Sequence, residues 1–97
     1  MAVIGTMTKQ PRERLPVDID YTAVVAGRTV TSFTPTIETP VGITVNGTSQ
    51  SGNKFQMYVS GGTSGNTYTI TVLMDILISG NVTTVEDEYR VLVEEVS

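Results

Sequence analysis

The sequence predicts an all-β protein: a small immunoglobulin-like antiparallel β-sandwich with an extended N-terminal arm. Threonine and valine are the commonest of its 97 residues, and these β-branched side chains favour strands. Glycine and proline recur at short intervals, which is typical of several short strands joined by turns. No segment has the apolar period of a helix. A five-stranded barrel is the alternative architecture.

Two segments of different charge divide the chain. Residues 1–16 contain two prolines and no apolar alternation, and their three basic residues against one acid give a net charge of +2. This segment is predicted to form the extended N-terminal arm. Residues 17–97 carry three basic residues against nine acids, a net charge of −6, and are predicted to form one β-sandwich domain.

The first two strands of the domain are predicted on either side of a short turn. A strand begins near Val17 and includes residues 18–21, and residues 26–28 form the turn. The second strand spans residues 29–37. Because Pro35 lies inside it and proline cannot donate to a β-ladder, this strand is expected at a sheet edge or with a bend.

A second turn and a hairpin are expected in the middle of the chain. Residues 39–42 form the turn, and Ile43 and Val45 point inward from a short third strand. The dipeptide Asn46-Gly47 indicates a hairpin, because both residues tolerate a positive φ. Residues 48–53 are predicted to be a polar loop or a short polar strand.

Alternation is clearest in the second half of the chain. Residues 54–60 form a strand, and residues 61–66 form a glycine-rich loop. A long strand over residues 66–79 follows, with Tyr68 placed for a tyrosine corner. Gly80-Asn81 is expected to form a type II′ turn before the last strand, over residues 82–96. The predicted inward side chains are Phe55, Met57, Val59, Tyr68, Ile70, Val72, Met74, Ile76, Val85, Tyr89, Val91 and Val93.

Groups that carry catalysis or hold metals are scarce. The chain has no cysteine, histidine or tryptophan, which excludes thiolate sites, histidine bases and Ser-His-Asp triads. Asp18 and Asp20 share a strand face, but no third acid lies nearby in sequence to complete a calcium site. The acids at 86–88 alternate across a strand, and Asp87, on the inward side, is expected at a bulge or an exposed strand end. We therefore predict no enzyme activity, no metal and no cofactor.

Protein partners are the remaining expectation. An acidic domain repels nucleic acid, and no apolar run is long enough to cross a membrane as a helix. Candidate contact residues come from the arm, from outward apolar or aromatic positions and from the acidic last strand: Val3, Ile4, Lys9, Arg12, Arg14, Tyr58, Leu73, Leu77, Glu86, Glu88 and Leu92. Within this set, Val3 and Ile4 are expected to act as an apolar hook that docks on a neighbour by strand addition.

One stretch of the chain resembles a known family. Residues 59–72, VSGGTSGNTYTITV, are similar to a motif of the small immunoglobulin-like phage proteins known as fibre–tail adaptors. Weaker matches lie at residues 20–21, 27–32 and 40–45, so that the resemblance covers most of residues 12–96. The sequence departs from the family at Pro35, where an aromatic residue is common, and at Gly80-Asn81, where Gly-Arg is common.

The resemblance implies a structural virion protein of a tailed bacteriophage, made in the host cytoplasm. Such a protein acts as a neck or tail adaptor that attaches tail or tail-fibre components through contacts with other virion proteins, as a homo-oligomer in the particle. An immunoglobulin-like capsid decoration protein is the first alternative. A carbohydrate-binding host-attachment module, with Tyr21 or Tyr58 contacting the sugar, is the second.

Overall fold

The computed structural model describes residues 3–21, 28–38 and 41–95. The strands in this part of the chain are β1 (Val3–Lys9), β2 (Arg14–Asp20), β3 (Thr29–Ile37), β4 (Ile43–Ser51), β5 (Lys54–Gly61), β6 (Thr67–Ile78) and β7 (Asn81–Val93). They form a four-stranded sheet, in the order β1-β7-β6-β3, and a three-stranded sheet, in the order β2-β5-β4. Two sheets packed face to face confirm the predicted all-β sandwich rather than the five-stranded barrel.

The pairing of the strands is antiparallel with one exception. Strand β1 runs parallel to β7, whereas β2–β5, β3–β6, β4–β5 and β6–β7 are antiparallel. The orders β3-β6-β7 and β2-β5-β4 are those of strands C-F-G and B-E-D in immunoglobulin domains. The narrower immunoglobulin-like assignment stays a prediction.

Alternating apolar side chains of both sheets fill the space between them. The buried apolar residues are Val17, Ile19, Tyr21, Val30, Ile43, Phe55, Met57, Val59, Tyr68, Ile70, Val72, Met74, Ile76, Val91 and Val93. The Phe33 ring stacks on Phe55, with centroids 4.7 Å apart, and contacts the tilted Tyr21 ring at a centroid distance of 5.5 Å. Most of the predicted inward positions are therefore confirmed; Val45, Val85 and Tyr89 are half-buried.

Tyr68 lies where the sequence predicts a tyrosine corner. Its side chain is buried, and its hydroxyl accepts hydrogen bonds from the Thr63 N–H at 2.8 Å and from the Asn66 amide at 3.3 Å. A buried tyrosine bonded to backbone a few residues upstream is the tyrosine-corner geometry. The contact fixes the glycine-rich loop to the start of β6.

The N-terminal residues do not follow the predicted local structure. Residues 3–9 form strand β1, which pairs with β7 at the other end of the chain, and β2 begins at Arg14 rather than near Val17. The sequence VIGTMTK does not alternate clearly between apolar and polar residues. Which of its side chains are buried depends on β7, the strand beside it. Pairing between distant segments leaves no local signal of that kind.

Two predicted hairpin turns are displaced in the structure. Strand β4 continues through Asn46-Gly47 as a bulge, with Gly47 at φ 61°, and the chain reverses at Gly52-Asn53 instead. The last hairpin turns at Ser79-Gly80, one residue before the predicted position. Both residues there have positive φ, so the turn is type I′. Of the other predicted turns, residues 26–27 and 39–40 lie outside the described part of the chain.

Asp87 occupies a core position, and its predicted place at a bulge or exposed strand end is wrong. It pairs in regular register with Val72 and is 8% exposed. Its Oδ2 accepts a hydrogen bond from the Tyr21 hydroxyl at 2.9 Å, which links the two sheets. Hydrogen bonding offsets the cost of burying a carboxylate. Asp87 therefore points inward, as strand alternation requires, although it is charged.

The same contact predicts a loss of stability in alkali. Burial raises the pKa of Tyr21, and the hydrogen bond to Asp87 and its negative charge raise the pKa further. Above about pH 10 the unfolded chain loses this proton while the folded chain keeps it, so the free energy of unfolding falls as pH rises. Tyr21→Phe removes this titration and is expected to lose less stability than the wild type between about pH 9 and about pH 11. Urea unfolding at both pH values measures the difference; identical losses would contradict the assignment.

Candidate protein-interaction surface

Five of the candidate contact residues meet on one surface, the side of the four-stranded sheet that faces away from the three-stranded sheet. We call this surface the outer face. Its cross-strand pairs on β6 and β7 are Thr67 with Leu92, Thr69 with Arg90, Thr71 with Glu88, Leu73 with Glu86, Asp75 with Thr84 and Leu77 with Val82. Strand alternation places all of them on the side opposite the buried apolar side chains of the same two strands, and Thr71 is the one of them that is itself buried. Leu73, Leu77, Leu92, Glu86 and Glu88 therefore share one face.

Apolar exposure on the outer face concentrates near the β6–β7 hairpin. Leu73, Leu77 and Val82 are 37%, 41% and 64% exposed, and Leu77 lies directly opposite Val82. Val82 is not among the residues predicted from the sequence, although the hairpin places it level with Leu77. An apolar group rimmed by polar residues is typical of a protein contact site.

Negative charge borders this apolar group. Glu86 is exposed opposite Leu73, and Glu88 forms an exposed ion pair with Arg90 on the same strand, at 3.3 Å. The Asp75 carboxylate accepts hydrogen bonds from Ser32 at 3.0 Å and Thr84 at 2.7 Å. These three acids against one base give a negative surface, and such a surface complements a basic partner.

The N-terminal candidates are divided between surface and interior. Val3 is 47% exposed at the start of β1, whereas Ile4 is half-buried and packs against the core. Arg12 is exposed in the turn between β1 and β2. Val3 therefore lies at the β1 edge of the four-stranded sheet, and Ile4 lies between the sheets.

Lys9 is buried, at 1% exposure, which is not the surface position that its predicted contact role requires. Its ammonium donates to the carbonyl oxygens of Gln10 at 2.6 Å, Pro11 at 3.4 Å and Gly61. Burial lowers the pKa of Lys9, while the negative charge of Glu13 acts in the opposite direction. The side chain joins the end of β1 to the end of β5. Its three carbonyl partners replace the water that would otherwise hydrate the ammonium group.

Arg14 and Tyr58 lie on the opposite side of the sandwich, on the solvent side of the three-stranded sheet. The guanidinium lies over the Tyr58 ring, 4.1 Å from its centroid, and donates to the Asn46 side chain at 3.0 Å. This cation–π contact joins β2, β4 and β5. These two candidates therefore do not belong to the outer face.

Neither tyrosine of the carbohydrate-binding alternative is freely exposed to solvent. Tyr21 is buried at 2% exposure, and the Tyr58 ring has Arg14 stacked on it. Sugar rings stack on exposed aromatic faces. The structure therefore lends no support to the carbohydrate-binding alternative at either tyrosine.

The described segments contain neither a metal site nor a membrane-spanning helix. No group of three histidine, cysteine, aspartate or glutamate side chains there could hold a metal ion. None of the described residues forms a helix that is long and apolar enough to span a membrane.

The fold places the chain in the class of small all-β sandwich domains, here with apolar and acidic side chains on one sheet face. Residues 9–92 match the family model described as "Podophage GP4 fiber-tail adaptor protein gp77", and the chain belongs to this family. The resemblance seen in residues 59–72 is thereby confirmed. No curated protein matches the chain.

Amebosin, whose structure was determined in solution, is similar at 14% sequence identity over 96% of this chain and 97% of that chain. The TM-score is 0.37, too low for a functional inference.

Proposed function

We propose that this chain is a structural subunit of a podophage virion that attaches tail or tail-fibre components to the particle. The observation that carries the proposal is the match to the fibre–tail adaptor family over residues 9–92. The outer face supplies a surface for such a role, with Leu73, Leu77 and Val82 exposed beside Glu86. Apolar groups provide affinity in such contacts, and complementary charge provides orientation and specificity.

The partner we infer is a basic, partly apolar surface of a tail or fibre protein. The outer face carries more acidic than basic side chains, and the whole chain has a net charge of −4. Like charge opposes docking of two outer faces from identical copies. Several copies around the tail would then contact one another through other surfaces and form a closed ring. Native mass spectrometry of purified tails would count the copies.

Immunogold electron microscopy on purified particles of the source phage tests the proposed location. Label at the neck or tail supports the adaptor role. Label spread over the shell favours the capsid decoration alternative instead. If neither intact nor disrupted particles bind the antibody, the proposal fails, because disruption exposes epitopes that assembly covers.

The outer face makes a testable prediction about assembly. Leu73→Ser with Leu77→Ser removes two partly exposed apolar side chains, and burying such side chains at an interface stabilises a complex by roughly 1–2 kcal/mol each. We expect the double variant to bind particles lacking this protein about tenfold or more weakly than the wild type. Co-sedimentation over a concentration series measures the change.

Val41→Ser is the matched control for this experiment. Val41 is 79% exposed and lies outside the outer face, just before β4. Its replacement removes a comparable apolar surface, so binding is expected to change less than twofold. Equal weakening by the two variants would show that general apolar surface, rather than the outer face, drives attachment.

A further inference from the structure

The two sheets leave four strands at their edges: β1 and β3 in one sheet, β2 and β4 in the other. An edge strand presents unpaired backbone groups and is a template for pairing with another chain. Proteins commonly block such edges with proline, bulges or charge. The four edges of this sandwich differ in whether such a feature blocks them.

Prolines obstruct two of the edges. The Glu38 N–H donates to the Thr69 carbonyl at 3.0 Å, so alternate groups of β3 point to β6 and the position of Pro35 faces the free edge. In β2, the Tyr21 N–H donates at 2.9 Å on the β5 side, and by the same alternation Pro16 faces the free edge. Proline offers no N–H, so an added strand would lose a ladder bond at each position.

A bulge obstructs the third edge. The β4–β5 register shifts between Asn46 and Ser49, and Gly47 has φ 61° there. A bulge bends and twists its strand, which interrupts the straight row of groups that a partner strand needs.

None of the described strands pairs with the outer edge of β1 over its last five residues. The register with β7 is regular from Gly5 to Lys9, after an irregularity between Val3 and Gly5. The Lys9 carbonyl accepts from the Glu94 N–H at 2.9 Å, on the β7 side, so the backbone groups of Thr6 and Thr8 face outward. Neither proline nor a bulge occurs in this stretch of the described chain.

A cavity of about 330 Å³ lies beside this edge, where β1 of one sheet approaches β2 of the other. Its lining residues are Ile4, Asp18, Ile19, Asp20, Tyr21 and Tyr89. The Tyr89 ring lies against the backbone of Gly5, where a Cβ would come within 2.5 Å of it. Two isoleucines, two tyrosines and two aspartates thus line the cavity, and the Asp18 carboxylate also accepts a hydrogen bond from the Gln56 side chain at 2.8 Å.

We propose that the free edge of β1 accepts an extended strand of the tail or fibre protein that this chain binds. Backbone groups of Thr6 and Thr8 pair with that strand. Its inward apolar side chains enter the cavity between Ile4 and Tyr89, and a basic residue lies against Asp18 and Asp20. This inference rests on the proposed adaptor function and adds a second contact to that of the outer face.

Two features favour a basic partner strand over exchange of β1 itself or pairing with a second copy. Lys9 binds three carbonyls at the end of β1, which holds the strand in its own sheet while another strand adds beside it. Identical copies each carry a net charge of −4, and like charge opposes their pairing. Strand addition of this kind obtains affinity from backbone bonds and specificity from side-chain pockets.

The double variant Thr6→Pro with Thr8→Pro tests the open edge. It removes two outward N–H groups without touching those that face β7. We expect binding to particles lacking this protein to weaken about tenfold or more, because each backbone bond lost weakens binding several-fold. If the double variant binds as tightly as the wild type, the β1 edge is not the contact and the inference is overturned.

Ser64→Pro is the control for introducing proline. Ser64 and Gly65 are the central residues of a turn closed by the Asn66 N–H on the Thr63 carbonyl at 3.2 Å, and Gly65 has φ +92°. Proline is common at the first central position of such a type II turn. This variant is expected to bind within twofold of the wild type, and a loss as large as that of the double variant would contradict an edge-specific effect.

Hydrogen–deuterium exchange on the wild type keeps the inference testable even if the double variant fails to fold. We expect residues 4–9 to gain protection when the chain binds the particles. Unchanged exchange there overturns the strand addition. Protection in the free chain that rises with concentration assigns the edge to a second copy and overturns the proposed partner. Failure of the wild type to bind particles at all would refute the adaptor function itself.

Discussion

Replacing Gly62 by alanine is expected to destabilise the folded chain by about 3 kcal/mol. Gly62 has φ 100°, a conformation that L side chains rarely adopt, and it lies in the loop held by Tyr68. A Cβ there would come within 2.6 Å of Val93 Cγ2 and 3.2 Å of Ile43 Cγ2. Backbone strain and overpacking therefore act together. Urea unfolding monitored by circular dichroism measures the loss.

Gly65→Ala separates the two causes. Gly65 has φ 92°, close to that of Gly62, but a Cβ there would meet nothing within 4 Å. This variant is expected to lose only about 1 kcal/mol, the cost of the backbone conformation. If the two alanine variants lose the same stability, the contact with Val93 contributes nothing and the packing argument is wrong.

Replacing Lys9 by methionine is expected to cost about 2 kcal/mol of folding stability. Methionine nearly matches the length of lysine but donates no hydrogen bond, so the carbonyls of Gln10, Pro11 and Gly61 lose their shared donor. The loss exceeds what is regained by no longer burying a charge, because methionine offers no donor to three carbonyls whose hydrogen bonds to Lys9 are partly buried. Thermal and urea unfolding measure it.

Lys54→Met is the matched control. Lys54 lies exposed at the start of β5, so its replacement is expected to change stability by less than about 0.5 kcal/mol. A Lys9 variant as stable as the Lys54 variant would show that the buried ammonium is not needed to hold β1. The Lys9 variant is also expected to show faster amide exchange in residues 3–9, since β1 would then be held only by its pairing with β7 and by the packing of Ile4 and Met7 against the core.

Local patterns in the sequence predicted much of the sandwich. The alternation over residues 54–60 and 66–79 places Phe55, Met57 and Ile70 inward because a strand has a period of two, whatever its partners are. Pro35 predicted an edge for the same kind of reason, since its missing N–H excludes a central strand, and β3 is an edge strand. The family resemblance in residues 59–72 also needed no knowledge of pairing.

The displaced hairpins show where local signals are ambiguous. Asn46-Gly47 suits either a type I′ turn or a bulge, because both need a residue with positive φ. The register between β4 and β5 decides for the bulge, and the turn at Gly52-Asn53 completes the hairpin. A two-residue motif cannot predict that register, because the register is set by the pairing of the two whole strands.

The buried charges show a different limit. Lys9 and Asp87 were expected outside the core because a charged side chain is costly to bury alone. Each is buried with a partner from a distant part of the chain: Gly61 for Lys9, and Tyr21 for Asp87. Those partners come together only when both sheets have formed.

The fold class and the strand periods follow from local chemistry, because β-branching, alternation, glycine and proline act over a few residues. The family was indicated by the resemblance of residues 59–72 to a known motif. Tertiary structure alone decided that β1 joins the sheet beside β7, that Leu77 and Val82 share an exposed face, and that Lys9 and Asp87 are buried. These features depend on pairing between segments far apart in the chain. The interactions that stabilise them are made with residues distant in sequence, so the local sequence does not predict them.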